Sequence, residues 1–191
     1  SARHPPASAL GAPESDSAPR IVPGRRAPSS SYEHRPRLGR LGTVSVNPEL
    51  QGRSYPPTAP YLVGREKVRE FARAVFATNA LHHDPEAARA AGYADVVAPP
   101  TFPVVVQEHA LAQLLADPEA GIDFSRVVHG DQRFSYSRPV VAGDELTATL
   151  TVTSIKTLGG HSMVTADALV ADASGAHVVT ATSTLVVRGE E

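Results

Sequence analysis

The sequence predicts an α+β fold with helices and strands segregated along the chain, a long apolar helix being wrapped by the concave face of an antiparallel sheet. Three observations predict it. Helical periodicity is confined to the stretch before Pro118. Beyond it come long alternating segments rich in Val, Thr and Leu: "RVVHGDQRFSYSRPVV", "DELTATLTVTSIKT", "HSMVTADALVADA" and "AHVVTATSTLVVRG". These are separated by "AGD", "LGG" and "SG", which are turn signals, so four consecutive strands should form a hairpin-linked meander.

The elements follow in order. Ser1 to Asn47 is dominated by Ser, Ala, Pro, Gly and Arg, with no sustained periodicity. Such a composition cannot bury enough apolar surface to offset its ordering entropy, so 1–47 is expected to be a disordered extension and 48–191 a single folded domain. The basic residues of "GRRAPSSSYEHRPRLGR" are arginines without lysine, as in transit peptides or nucleic-acid arms, and no apolar signal-peptide core is present. From Arg65 to about Phe76, Val68, Phe71, Ala72 and Val75 share one face, while Glu66, Arg69, Glu70 and Arg73 take the other. That is an amphipathic helix. In "DPEAARAAG", Asp84 is placed to be an N-cap, Pro85 the first helical residue and Gly92 the stop. The stretch "PPTFPVVVQEHALAQLLADP" predicts a helix from about Thr101 to Ala116, with Pro103 in its first turn. Its near-continuous apolarity implies deep burial, with His109 as a core histidine.

Composition narrows the function. With 191 residues and 41% hydrophobic content the chain can build one real core. A net charge of −2 argues against an extended nucleic-acid footprint. The absence of cysteine excludes a disulfide framework, a thiolate metal site and a thiol nucleophile, and suits a reducing cytoplasm. The apolar runs fall well short of the roughly 18–20 residues needed to span a bilayer, so no membrane association is expected.

The order of elements, with "HHDPEAARAAGY", "VAPPTF" and "RPVVAGDEL", resembles the MaoC-like hot-dog-fold dehydratases. The likeness is to the actinobacterial branch that includes (3R)-hydroxyacyl-ACP dehydratase subunits, with a FAS1-like dehydratase domain. "GRSYPPTAPYLVGREKVREFA", from Gly52, and "DFSRVVHGDQRFSYSRPVVAGD", from Asp123, look like signatures of that branch. The resemblance spans roughly Pro48 to Val187 and implies a hot-dog protomer, usually dimerised into one continuous sheet. It also implies addition or removal of water across the α,β double bond of an acyl thioester carried by CoA or acyl carrier protein, with no cofactor and no metal. Such chemistry needs one group to orient and deprotonate water, another to exchange the α-proton, and donors for the developing enolate oxygen.

In active members the pattern is Asp, any residue, Asn, Pro, an aliphatic residue, then His, with Asp-Pro two residues further on. Laid on "ATNALHHDP", it places the histidine on His82, the asparagine on Asn79 and the trailing pair on Asp84 and Pro85. Ala80 stands at the proline, and Ala77 at the catalytic aspartate. A methyl group cannot orient water. Asp84 either substitutes for the missing acid or simply caps the following helix. His83 could replace His82, although adjacent histidines point apart and would not share a metal. Loss of the aspartate also fits a heterodimer in which a partner subunit carries the Asp and His. Thr101 and Phe102, whose N–H groups follow two prolines, are expected to face the substrate carbonyl, and His129 on its strand could face the thioester. Two alternatives stand beside a dehydratase or hydratase subunit: a non-catalytic acyl-thioester binder, and a thioesterase using Glu108.

Overall fold

Five strands form one antiparallel sheet within residues 46–189, the part of the chain that this computed structural model describes. They are β1 (Tyr61–Leu62), β2 (Val127–Tyr136), β3 (Glu145–Leu158), β4 (His161–Asp172) and β5 (His177–Val187), in the spatial order β1-β3-β4-β5-β2. Helices α1 (Arg65–Ala74), α2 (Pro85–Ala90) and α3 (Val104–Ala116) precede all but the first strand, and α3 packs across β3 and β4. This is the hot-dog arrangement. Alternation builds it: Leu146, Leu150, Val164, Val170, Val179 and Leu185 are buried beneath the helix, while the threonines between them take the outer face. Among the described residues no helix is long and apolar enough to cross a membrane.

The expected meander is only partly formed. Strands β3, β4 and β5 are joined by hairpins, but β2 pairs with β5 at the far edge, so "RPVVAGD" is a crossover rather than a hairpin. The link finds other partners for its backbone. Ala98 donates to the Val140 carbonyl at 2.8 Å and Ala142 to that of Val96 at 2.9 Å, while Pro139 has no N–H to give. Arg138 fastens the link to Asp144 at 2.8 Å and to Asp172 at 3.1 Å. Gly143, at φ 98°, turns the chain into β3, and the Asp144 carboxylate accepts the Val141 N–H at 2.9 Å.

Other boundaries shift by a few residues. Val46 and Asn47, assigned above to the extension, belong to the fold: Val46 is buried, and the Asn47 carboxamide caps the turn Pro48–Leu50. The rest of the expected 1–47 extension lies outside the described residues. Strand β1 was hidden by its neighbours, since Pro56, Pro57 and Pro60 leave no alternation to read. Helix α3 begins at Val104, with Thr101 and Phe102 in the turn before it. His109 is not a core residue: it lies on the exposed back of α3, its ring 5.9 Å from that of Tyr61. A helix laid on one sheet buries one stripe, here Val106, Gln107, Ala110, Leu111 and Leu114.

Helix α1 ends at Ala74 rather than Phe76 through a Schellman closure, Phe76 N–H donating to Arg73 O and Ala77 N–H to Ala72 O. The residue in the left-handed position is Phe76, at φ 55°, with an 88% exposed side chain. Glycine is the usual occupant there. Phe76→Gly should therefore raise stability by about 0.5–1 kcal/mol, relieving left-handed strain at little packing cost. Thermal unfolding followed by circular dichroism checks this; a lowered Tm would show that the exposed ring is held by contacts.

Candidate active site

The turn Ala80–His82 is set by Asn79, whose side-chain oxygen accepts the Leu81 N–H at 3.0 Å and whose carbonyl accepts the His82 N–H at 3.0 Å. It delivers His82 to a concave site of about 370 Å³ walled by Val97, Ala98, Pro100, Pro139 and Val140. The His82 Nδ1 lies 2.7 Å from the Val97 carbonyl oxygen. A carbonyl only accepts, so Nδ1 carries the proton and Nε2 of the neutral ring remains an acceptor, the form a base requires. Val97 is held in turn, its N–H donating to the Leu81 carbonyl at 2.9 Å.

Next to this segment, Asp95 accepts from Arg65 through both carboxylate oxygens and from the Val96 N–H at 2.8 Å. Hydrogen bonding by Arg65, above all, lowers the Asp95 pKa to about 2, so the clamp stays ionised across the neutral range. It ties the start of α1 to the strand-like segment that anchors the histidine.

Tyr136, the last residue of β2, closes the site on the sheet side, and its hydroxyl donates to the Pro100 carbonyl at 2.8 Å. Burial raises its pKa, so the phenol stays protonated. Sequence reasoning missed Tyr136 and Arg138. The alternation of Phe134 and Tyr136 in "RFSYS" is the signal that would have placed Tyr136 on the inner face.

The other expected site residues are dispersed. Asp84 is exposed and caps α2, its carboxylate accepting the Glu86 N–H at 2.9 Å. His83 turns away, its Nε2 2.7 Å from the Ala77 carbonyl oxygen, and Ala77 lines a different concavity together with Phe76 and His83. Thr101 is exposed beside Pro100, and among the described residues its N–H has no hydrogen-bond acceptor. Phe102 does not face the site: its side chain is fully buried, and its N–H is given to the Pro99 carbonyl at 2.9 Å. His129 sits at a bulge near the other end of β2, exposed, its Nε2 3.0 Å from the Gln132 side-chain oxygen. Glu108 is exposed on α3 and does not line the cavity. Among the described residues, His82 alone of the expected acid/base groups reaches the site, and no carboxylate lines it.

Residues 49–181 match the family model described as FAS1-like, dehydratase domain region. The chain belongs to that family. Among the relatives of this FAS1-like dehydratase-domain chain, a UPF0336 protein of Leifsonia xyli subsp. xyli is 76% identical over 148 residues, covering 78% of this chain and 99% of that protein. A UPF0336 protein of Streptomyces coelicolor is 53% identical over the same length, with the same coverage. Of solved structures, the C-terminally truncated HadBC (3R-hydroxyacyl-ACP dehydratase) complex from Mycobacterium tuberculosis is similar at 34% identity and a TM-score of 0.65. That match covers 72% of this chain and 96% of the HadBC chain. A MaoC-like dehydratase is similar at 36% identity and a TM-score of 0.66, covering 72% of this chain and 42% of that one. The fold is thus a dehydratase-like hot dog related to the MaoC and HadBC proteins.

Proposed function

We propose that this chain is a subunit of a dehydratase/hydratase acting on (3R)-hydroxyacyl and trans-2-enoyl thioesters of CoA or acyl carrier protein. It shapes the acyl chamber while a MaoC-like partner supplies the complete Asp–His pair. One observation carries the reading: a largely apolar cavity that holds an anchored histidine and, among the described residues, no carboxylate, with Ala77 where the pattern calls for aspartate. Hydration adds hydroxide to the β-carbon and a proton to the α-carbon, and a lone neutral imidazole manages only part of that transfer. Apolar walls suit an acyl chain, and the Thr101 N–H offers a donor to a thioester oxygen. Strand β2 supports a partner, because among the described residues it pairs only with β5, which leaves its other edge for a second sheet. The similar HadBC structure is itself a complex.

Mixing this chain with a MaoC-like protein from the same organism that retains the Asp-to-His motif should give a one-to-one heterodimer in native mass spectrometry. Two homo-oligomers that fail to exchange would contradict the reading.

A further inference from the structure

One hydroxyl in the cavity wall is held by a base. Ser137 follows the last residue of β2 and lines the cavity that holds His82. Its Oγ lies 2.6 Å from Nδ1 of His177, the residue that opens β5. The other ring nitrogen, Nε2, lies 2.9 Å from Thr180 Oγ1. Each hydroxyl can donate or accept, so either tautomer of the ring is satisfied. With the proton on Nε2 and donated to Thr180, Nδ1 accepts the Ser137 O–H, which is how a weak hydroxyl nucleophile is activated. Backbone bonds across the end of the β2–β5 pair place these side chains. Tyr136 stands opposite Val179, and the Ser137 N–H donates to the Val178 carbonyl at 2.9 Å. The guanidinium of Arg138, the next residue, is held by Asp144 and Asp172 rather than by the serine.

We propose that Ser137 and His177 form a nucleophile and base that cleave an acyl thioester held in the cavity. This rests on the reading of the cavity as an acyl chamber and gives that chamber a second reaction. The Ser137 Oγ attacks the thioester carbonyl carbon as its proton passes to His177 Nδ1. The oxygen of the tetrahedral intermediate needs a donor, and the Thr101 N–H beside Pro100 has no acceptor among the described residues. When the intermediate collapses the C–S bond breaks, and the thiol leaves with the proton that His177 held. The acyl group is then an ester on Ser137. Water, deprotonated by the same imidazole, releases it as a carboxylic acid, and the proton returns to the serine oxygen. Thr180 fixes the tautomer as a carboxylate would, but it brings no charge to stabilise the imidazolium, so turnover should be slow.

The test is release of thiol from butyryl-CoA by the full chain, followed with dithiobis(nitrobenzoate). The chain has no cysteine, so every thiol detected is free CoA. Butyryl-CoA has no double bond, so hydration cannot contribute. The parent chain should release thiol, Ser137→Ala should lose the release, and His177→Ala should slow it about 10²–10⁴-fold. Added imidazole should restore part of the His177→Ala rate, which a merely structural histidine would not allow. Ser137 is exposed and His177 half-buried, so both variants should fold, and an unchanged Tm checks this. An alkyl fluorophosphonate should label Ser137 in the parent and far less in His177→Ala, as located by peptide mass spectrometry. A parent chain that binds butyryl-CoA in calorimetry but releases no thiol overturns the proposal and leaves the acyl chamber standing. So does a Ser137→Ala variant as fast as the parent. A chain that binds no butyryl-CoA at all loses the chamber reading, and this one with it.

Discussion

Phe102→Ala should lower the unfolding free energy by about 3–5 kcal/mol, the largest stability loss expected from a single side chain near the site. The ring is fully buried and packs edge-to-face on Phe71, with centroids 5.4 Å apart and planes at 77°. Truncation removes its buried area, leaves a void and breaks an aromatic pair worth about 0.5–1.5 kcal/mol beyond area. A domain of this size has only about 5–15 kcal/mol in total, so the variant should be marginal at 37 °C. The loss also reaches the site, because Phe102 closes the turn from Pro99 that presents Pro100 to the cavity wall. Urea unfolding followed by circular dichroism measures it. A change below about 1 kcal/mol, coupled to weaker thioester binding, would return Phe102 to the ligand-facing role read from the sequence.

That difference shows where the sequence stopped being legible. Helix α2 could be read almost residue by residue, because Asp84, Pro85 and Gly92 act locally and the structure puts each where its own chemistry requires. The strands were legible from their alternation, and the resemblance placed them in a hot dog. The pairing of β2 with β5 was not, because it depends on segment 96–98 capturing Val140 and Ala142, a contact between stretches some forty residues apart with no local mark. The site behaved in the same way. His82 could be placed by a motif, but its Val97 acceptor and Tyr136 come from a separate loop and a separate strand. Phe102 was misjudged because an N–H after two prolines looks free until the turn supplies the Pro99 carbonyl.

The isolated chain should hydrate crotonyl-CoA about 10²–10⁴-fold more slowly than its complex with the MaoC-like partner, the range expected when one member of an acid/base pair is missing. The deficit is chemical. The Nε2 of His82 can accept a proton, but Ala77 offers nothing to orient the water or exchange the α-proton, and Asp84 is spent on its helix cap. In the complex, His82→Ala should raise KM and cut kcat less than tenfold if, as proposed, the histidine only lines the chamber while the reacting pair belongs to the other subunit. Loss of enoyl absorbance follows both experiments. Were the isolated chain as fast as the complex, with His82→Ala abolishing the rate, His82 would be working as a base in its own site and the search for its acid would begin at Tyr136. Were the complex itself inert while acyl thioesters still bind, the chain would be an acyl-thioester binder without chemistry. The sign of the His82→Ala effect, on KM or on kcat, therefore assigns the cavity, since a wall residue and a proton acceptor leave different marks on the same measurement.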